Sequence, residues 1–207
     1  LLGKLLLSVR AKKLFILGLF ATLLLIAVYA SFGPAEKSLG NHVRIVYVHG
    51  AWVWISLAAF VAAGLVGAAA FVRRNENYYA WSRALGITGV VFWVSYLPLS
   101  LWAMQVNWNG LFLAEPRWRM AVAFAGAGLG VQLGLSFIAR PAWTGLTNFL
   151  FAVVLFFSLS QTSNILHPSS PILESALTAI QLYFGGMLVL TAIAAGLLTQ
   201  LWLPPRC

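Results

Sequence analysis

Three histidines, four acidic residues and nine tryptophans are the side chains in this sequence with the most chemistry to offer. His42 and His49 lie in "NHVRIVYVHGAWVW", residues 41–54. His42 stands among polar neighbours and reads as a solvated imidazole. His49 is five residues beyond Arg44, hence roughly 7 Å deeper along a helix that rises about 1.5 Å per residue. His167 falls in a stretch with no charged residue from Gln161 to Leu173. An ionisable group in such apolar surroundings needs a partner or a purpose. Two neutral imidazoles brought to one membrane face can grip a haem iron between them. Their coordinating nitrogens would then lie about 4 Å apart, for metal–nitrogen bonds of ~2 Å. Equally, each can hydrogen-bond a loop carbonyl.

Trp52, Trp54, Trp102, Trp108 and Trp118, with Phe112, collect on the same side as the histidines. A planar porphyrin needs flat apolar contacts, and it needs cations for its propionates; Arg44, Arg117 and Arg119 are the arginines within reach. An ordinary interfacial aromatic belt accounts for the same tryptophans. Enzyme constellations are missing. Glu36, Glu76, Glu115 and Glu174 are dispersed, with Glu76 at the opposite face. Paired-carboxylate catalysis, a proton relay and a serine triad each lack members, and there is no Walker lysine motif. The single cysteine, Cys207, excludes an intrachain disulfide and a CxxCH site for covalent haem.

The elements that must position these residues are membrane helices. The chain is 61% hydrophobic and 8% charged, with a mean hydropathy of +0.90, as expected of an integral membrane protein. About 20 apolar residues cross a hydrocarbon core of ~30 Å. The sequence predicts an all-α bundle of six transmembrane helices, at 14–33, 45–72, 84–106, 120–139, 142–162 and 172–203, in a single domain spanning 1–207. The segment near 5–28 is flanked like a signal peptide, but its apolar run is long and lacks a small-x-small cleavage site. It is expected to remain as the first span.

The net charge of +9 then distributes informatively. With both termini on the cytoplasmic side, the inside segments hold Lys4, Arg10, Lys12, Lys13, Arg73, Arg74, Arg83, Arg140 and Arg206. The outside loops hold Lys37, Arg44, Arg117 and Arg119. This asymmetry favours that orientation, with the short basic loops against anionic lipid and no nucleic acid as partner. Gly126, Gly130 and Gly134 form a smooth stripe suited to close approach of a neighbouring helix. Pro98 is expected to kink the third span. Ser170, Pro171 and Glu174 look like the start of the sixth helix.

The block "FGPAEKSLGNHVRIVYVHGAWVWISL" resembles the loop and second span of the CcmC branch of the haem-handling proteins of cytochrome c maturation. The shared features are an acidic loop, an arginine, an Ile/Val–Tyr pair and a histidine. The six-span layout and the three outside loops follow the same plan. The resemblance implies that His49 and His167 ligate non-covalent haem b axially at the outer, periplasmic face of a bacterial cytoplasmic (inner) membrane. On this reading Arg44, Arg117 and Arg119 would face the propionates, and Trp52, Trp54, Trp108 and Phe112 would line the haem plate. The protein would hold haem and present it to a membrane-anchored haem chaperone, beside other membrane subunits, without turnover of its own.

The family's tryptophan-rich signature, WGxxWxWDxR, is reduced here to "WNGLFLAEPR", Trp108 to Arg117. The first tryptophan and final arginine remain, and Glu115 replaces the aspartate. The haem pocket is therefore expected to persist while the delivery surface differs. The alternative is an accessory transmembrane subunit of an electron-transfer or photosynthetic complex that keeps the scaffold, with or without haem. A solute transporter is disfavoured, because no internal repeat or mid-membrane break stands out.

Overall fold

The computed structural model describes residues 2–138, 140–162, 172 and 177–204. They form α1 (Leu2–Ser31), α2 (Val43–Arg73), α3 (Glu76–Trp108), α4 (Pro116–Ile138), α5 (Pro141–Gln161) and α6 (Thr178–Trp202). All six are long and apolar enough to cross a membrane, α1 through its segment Arg10–Ser31. The chain is thus a bundle of candidate membrane-spanning helices.

Local chemistry sets the ends. Arg74 stops α2 in left-handed backbone, φ 48°, and the side chain of Asn75 accepts the Asn77 N–H at 2.9 Å to open α3. Asn109, φ 52°, closes α3, a conformation asparagine tolerates better than most residues. Pro116 and Pro141 occupy the first helical positions of α4 and α5, where a missing N–H costs nothing. The described part of α6 begins at Thr178, later than expected, with Leu177 extended before it. Ser170, Pro171 and Glu174 lie outside the described residues. Helix α3 begins at Glu76, well ahead of the expected 84, and runs through Pro98 without interruption.

Helix α2 is the hub, packed against α3, α5, α6 and α1. Helix α4 packs on α3 and α5, and α1 lies mainly along α6. The Arg83 guanidinium donates to the Ser136 hydroxyl at 3.2 Å, joining the start of α3 to the end of α4. The turns carrying Arg73, Arg74 and Arg140 share that basic end of the bundle. Loops 32–42 and 109–115 lie at the opposite end, called here the loop end.

A polar node near the basic end locks four helices. Asn148 donates to the Ser82 carbonyl at 3.0 Å and to its hydroxyl at 3.1 Å, and accepts from Gln132 Nε2 at 2.9 Å. The Ser82 hydroxyl in turn donates to the Ala63 carbonyl at 2.8 Å. This requires close backbones. A β-carbon on Gly67 would sit 2.6 Å from the Gly145 carbonyl oxygen, and one on Gly86 would sit 2.9 Å from Asn148. At the loop end α1 is tied to α6 by stacked Tyr29 and Tyr183, whose centroids are 4.4 Å apart and whose hydroxyls donate reciprocally to each other's backbone carbonyls.

The glycine stripe expected to receive a neighbouring helix does not do so among the described residues. A β-carbon on Gly126, Gly130 or Gly134 would meet nothing within 4 Å, because the stripe faces away from the bundle. The close approach belongs to Gly67 and Gly145 instead.

Gly67→Ala is accordingly expected to push α2 off α5 and cost about 1–3 kcal/mol, read as a lower Tm in detergent. Gly126→Ala should leave the Tm unchanged. Equal effects of the two changes would refute the assignment of the helix contact.

Candidate ligand site at the loop end of the bundle

His49 stands six residues into α2, about 9 Å below its first residue at ~1.5 Å per residue. It is half-buried and faces the bundle. Its ring meets Tyr96 of α3 edge-on, at a centroid distance of 5.6 Å. Tyr96 in turn packs edge-on against Trp93 at 5.0 Å, and Trp93 Nε1 donates to the Ala121 carbonyl at 2.9 Å, so α3 and α4 fix the wall opposite His49. Glu115 and Arg117, at the start of α4, both lie within electrostatic range of the Tyr96 hydroxyl.

This end of the bundle also holds polar atoms shielded from water and unmatched by the chain. Asn107 Oδ1, Glu115 Oε1 and Arg117 Nε are buried and accept or donate no hydrogen bond among the described residues. Glu115 is only 5% exposed. Leaving such a group unsatisfied costs about 1–3 kcal/mol, more when it is charged. Native structures tolerate few such groups, and each calls for an explanation, an ion or ligand among them.

The other expected residues separate into those near this cluster and those elsewhere. Trp108 ends α3 and Phe112 folds over Gly110, both in the segment leading to Glu115. Arg119 is exposed, and its backbone N–H bonds the Glu115 carbonyl at 3.1 Å. Trp52 is committed to α3, with Nε1 donating to the Ser95 hydroxyl at 3.1 Å and its ring 5.3 Å from Phe92. Trp54 lies about 140° round the helix from His49 and is 49% exposed on the bundle surface. Arg44 is also about 140° from His49, on the side of α2 that faces α1. Its Nε donates to the Gly33 carbonyl at 3.1 Å. His167 lies outside the described residues.

Tyr96 joins the site without having been singled out from the sequence. It carries no charge at neutral pH and belongs to no motif; its importance arises where α3 passes His49 of α2. The described residues contain no group of three or more His, Cys, Asp or Glu side chains able to hold a metal by themselves.

The first loop is braced separately. One Glu36 carboxylate oxygen accepts from the Ser38 hydroxyl and from the backbone N–H groups of Ser38 at 2.8 Å and Leu39 at 2.9 Å. Those bonds, the Ser38 hydroxyl first, hold the Glu36 carboxyl below its ordinary value. Glu36 and Gly40 also pair through their backbones, with Gly40 at φ 54° making the turn.

Comparison of the chain with protein-family models, with curated proteins and with solved structures returns no match.

Two outcomes follow from these environments. Because the Glu36 carboxyl is depressed, its bonds persist at neutral and mildly acid pH and are lost as pH falls through the depressed value. A titration of the Leu39 amide resonance should have its midpoint below 4.5; a midpoint at or above it contradicts the brace. Glu115→Gln removes a buried charge whose Oε1 has no hydrogen bond among the described residues, and should raise the Tm of ligand-free protein, by roughly 1 kcal/mol of added stability. A marked loss of stability would mean that the carboxylate is already satisfied.

Proposed function

We propose that this chain is a haem-holding membrane protein similar to the CcmC branch, with His49 and His167 as ligands of non-covalent haem b at the loop end. One observation carries the reading. His49 meets Tyr96, whose hydroxyl lies within electrostatic range of Glu115 and Arg117, and Glu115 Oε1 and Arg117 Nε are buried with no hydrogen-bond partner among the described residues. The donor set suits the group: an imidazole for iron, a guanidinium for a carboxylate, and the aromatic rings of Trp108 and Phe112 in the adjoining segment. When bound, haem would supply a redox-active iron, which His49 and His167 would hold through neutral imidazoles. Arg117 would balance propionate charge. Arg44 bonds the Gly33 carbonyl, Trp52 bonds Ser95 and Trp54 is exposed, and the proposed pocket is drawn without them.

In this reading both termini face the cytoplasm, the loop end faces the periplasm, and the protein sits in a bacterial cytoplasmic membrane. The basic residues at the opposite end support that orientation. Leu111, Phe112 and Leu113 are exposed between α3 and α4, an apolar tip suited to a membrane-anchored haem chaperone. The protein presents haem to that partner and performs no turnover. A second reading, an accessory subunit of an electron-transfer or photosynthetic assembly, draws on the outward stripe of Gly126, Gly130 and Gly134. Such a surface lets another membrane helix approach closely.

Absorption spectra of detergent-purified protein expressed with ample haem test the haem site and its two ligands. The expected result is sharp reduced bands of a six-coordinate low-spin haem, lost in both His49→Ala and His167→Ala. Intact wild-type protein without haem would sink the haem-presenting reading and leave the haem-less subunit.

A further inference from the structure

Among the described residues α1 makes no contact with α3, although both pack on α2. At the loop end their separation leaves a cleft of about 410 Å³. Its volume falls in the range of small-ligand pockets, ~300–1,000 Å³. Ala27 and Ala30 of α1, Val48 of α2 and Val106 of α3 line its walls. Ser31, Asn41, His42 and Arg44 stand at its polar rim, and Trp102, 59% exposed, borders it. His49 and Arg117 do not line it, so it is distinct from the haem site proposed above.

Arg44 gives the cleft its charge. The bond from Nε to the Gly33 carbonyl orients the guanidinium, while its terminal nitrogens make no hydrogen bond or ion pair among the described residues. The nearest acid along the chain, Glu36, has one oxygen committed to Ser38 and Leu39. The site is therefore a cation above an apolar slot, open sideways between two membrane helices. Interfacial tryptophan marks the level where tails give way to headgroups. An apolar slot left empty forfeits dispersion contacts, so hydrocarbon fills it. A guanidinium at that level pairs with a phosphate in forked, charge-assisted bonds.

We propose that this cleft binds one anionic phospholipid, with its phosphate on Arg44 and an acyl chain between α1 and α3. The amphiphile satisfies both halves of the site at once, which a free anion or a neutral hydrocarbon cannot do. Bound there, it would supply the packing that α1 lacks against α3.

Native mass spectrometry of the full chain released from vesicles of dioleoyl phosphatidylglycerol and dioleoyl phosphatidylcholine in equal parts tests this. The wild type should retain one phosphatidylglycerol. Occupancy should fall about tenfold in Arg44→Gln, the loss of one charge-assisted bond, and in Ala30→Phe, which fills the slot while keeping the charge. Lys37→Gln, an exposed cation in the same loop, should retain the lipid. Helical content by circular dichroism checks each variant, and Ala30→Phe carries the test if Arg44→Gln does not fold. Equal retention of the two lipids, or undiminished retention in Ala30→Phe, overturns the proposal. So does displacement of the lipid by millimolar inorganic phosphate, which would reveal an anion site with no use for the chain.

Discussion

The bundle hangs on Asn148. Its amide links α5 to Ser82 of α3 and to Gln132 of α4, and the Ser82 hydroxyl passes the connection to α2 at Ala63. In hydrocarbon there is no water to satisfy such groups, so they must find one another. Interhelical hydrogen bonds in membranes average only about 0.6 kcal/mol, which makes the node more valuable for register than for raw stability. An amide has few places where its donors and acceptor are all met, and the helices must return to the arrangement that provides one. The glycines at 67, 86 and 145 are the steric condition for it, because a β-carbon on any of them would occupy the space of a neighbouring carbonyl or side chain.

With four helices fixed near the basic end, the loop end can be less saturated. Its aromatic contacts, from His49 through Tyr96 and Trp93 to Phe60, are edge-on or tilted and hold side chains in place without consuming their polar atoms. Asn107, Glu115 and Arg117 keep buried polar atoms unmatched within this frame. A rigid scaffold at one end and unspent polarity at the other is the usual division in a protein that holds a ligand. The two ligand readings offered here divide along α2, with His49 on its inner face and Arg44 about 140° away against α1.

The loosely held α1 belongs to the same economy. It rests on α6 through the Tyr29–Tyr183 pair and touches α2 more sparingly, while much of its apolar surface, including Leu14, Leu17 and Phe20, faces outward. Lipid covers such a surface at no cost, since its tails are as apolar as leucine. The outward glycines of α4 obey the same rule: lipid or another helix can cover them, and none of the described residues does.

How much of this was legible beforehand follows from which signals are local. Six apolar runs separated by polar or proline-marked turns give six helices, because hydrophobic length and turn chemistry reside in neighbouring residues. His49 stood out because it follows the last charge of its segment, again a local fact. The node at Asn148 was not legible: an asparagine, a serine and a glutamine on different helices carry no joint signal until the helices are packed. The glycine pattern misled for the same reason. Gly126, Gly130 and Gly134 advertise a smooth face, but sequence does not say what lies opposite, whereas Gly67 and Gly145 carry no spacing motif and meet backbone to backbone. Arg44 and His49, five residues apart, looked like members of one site, and helical rotation sent them to different sides. The sequence by itself therefore determined six helices long and apolar enough to cross a membrane, though not where each begins. Only tertiary structure decided which polar side chains meet, because the direction a side chain takes round a helix has meaning only once a neighbour is there to receive it.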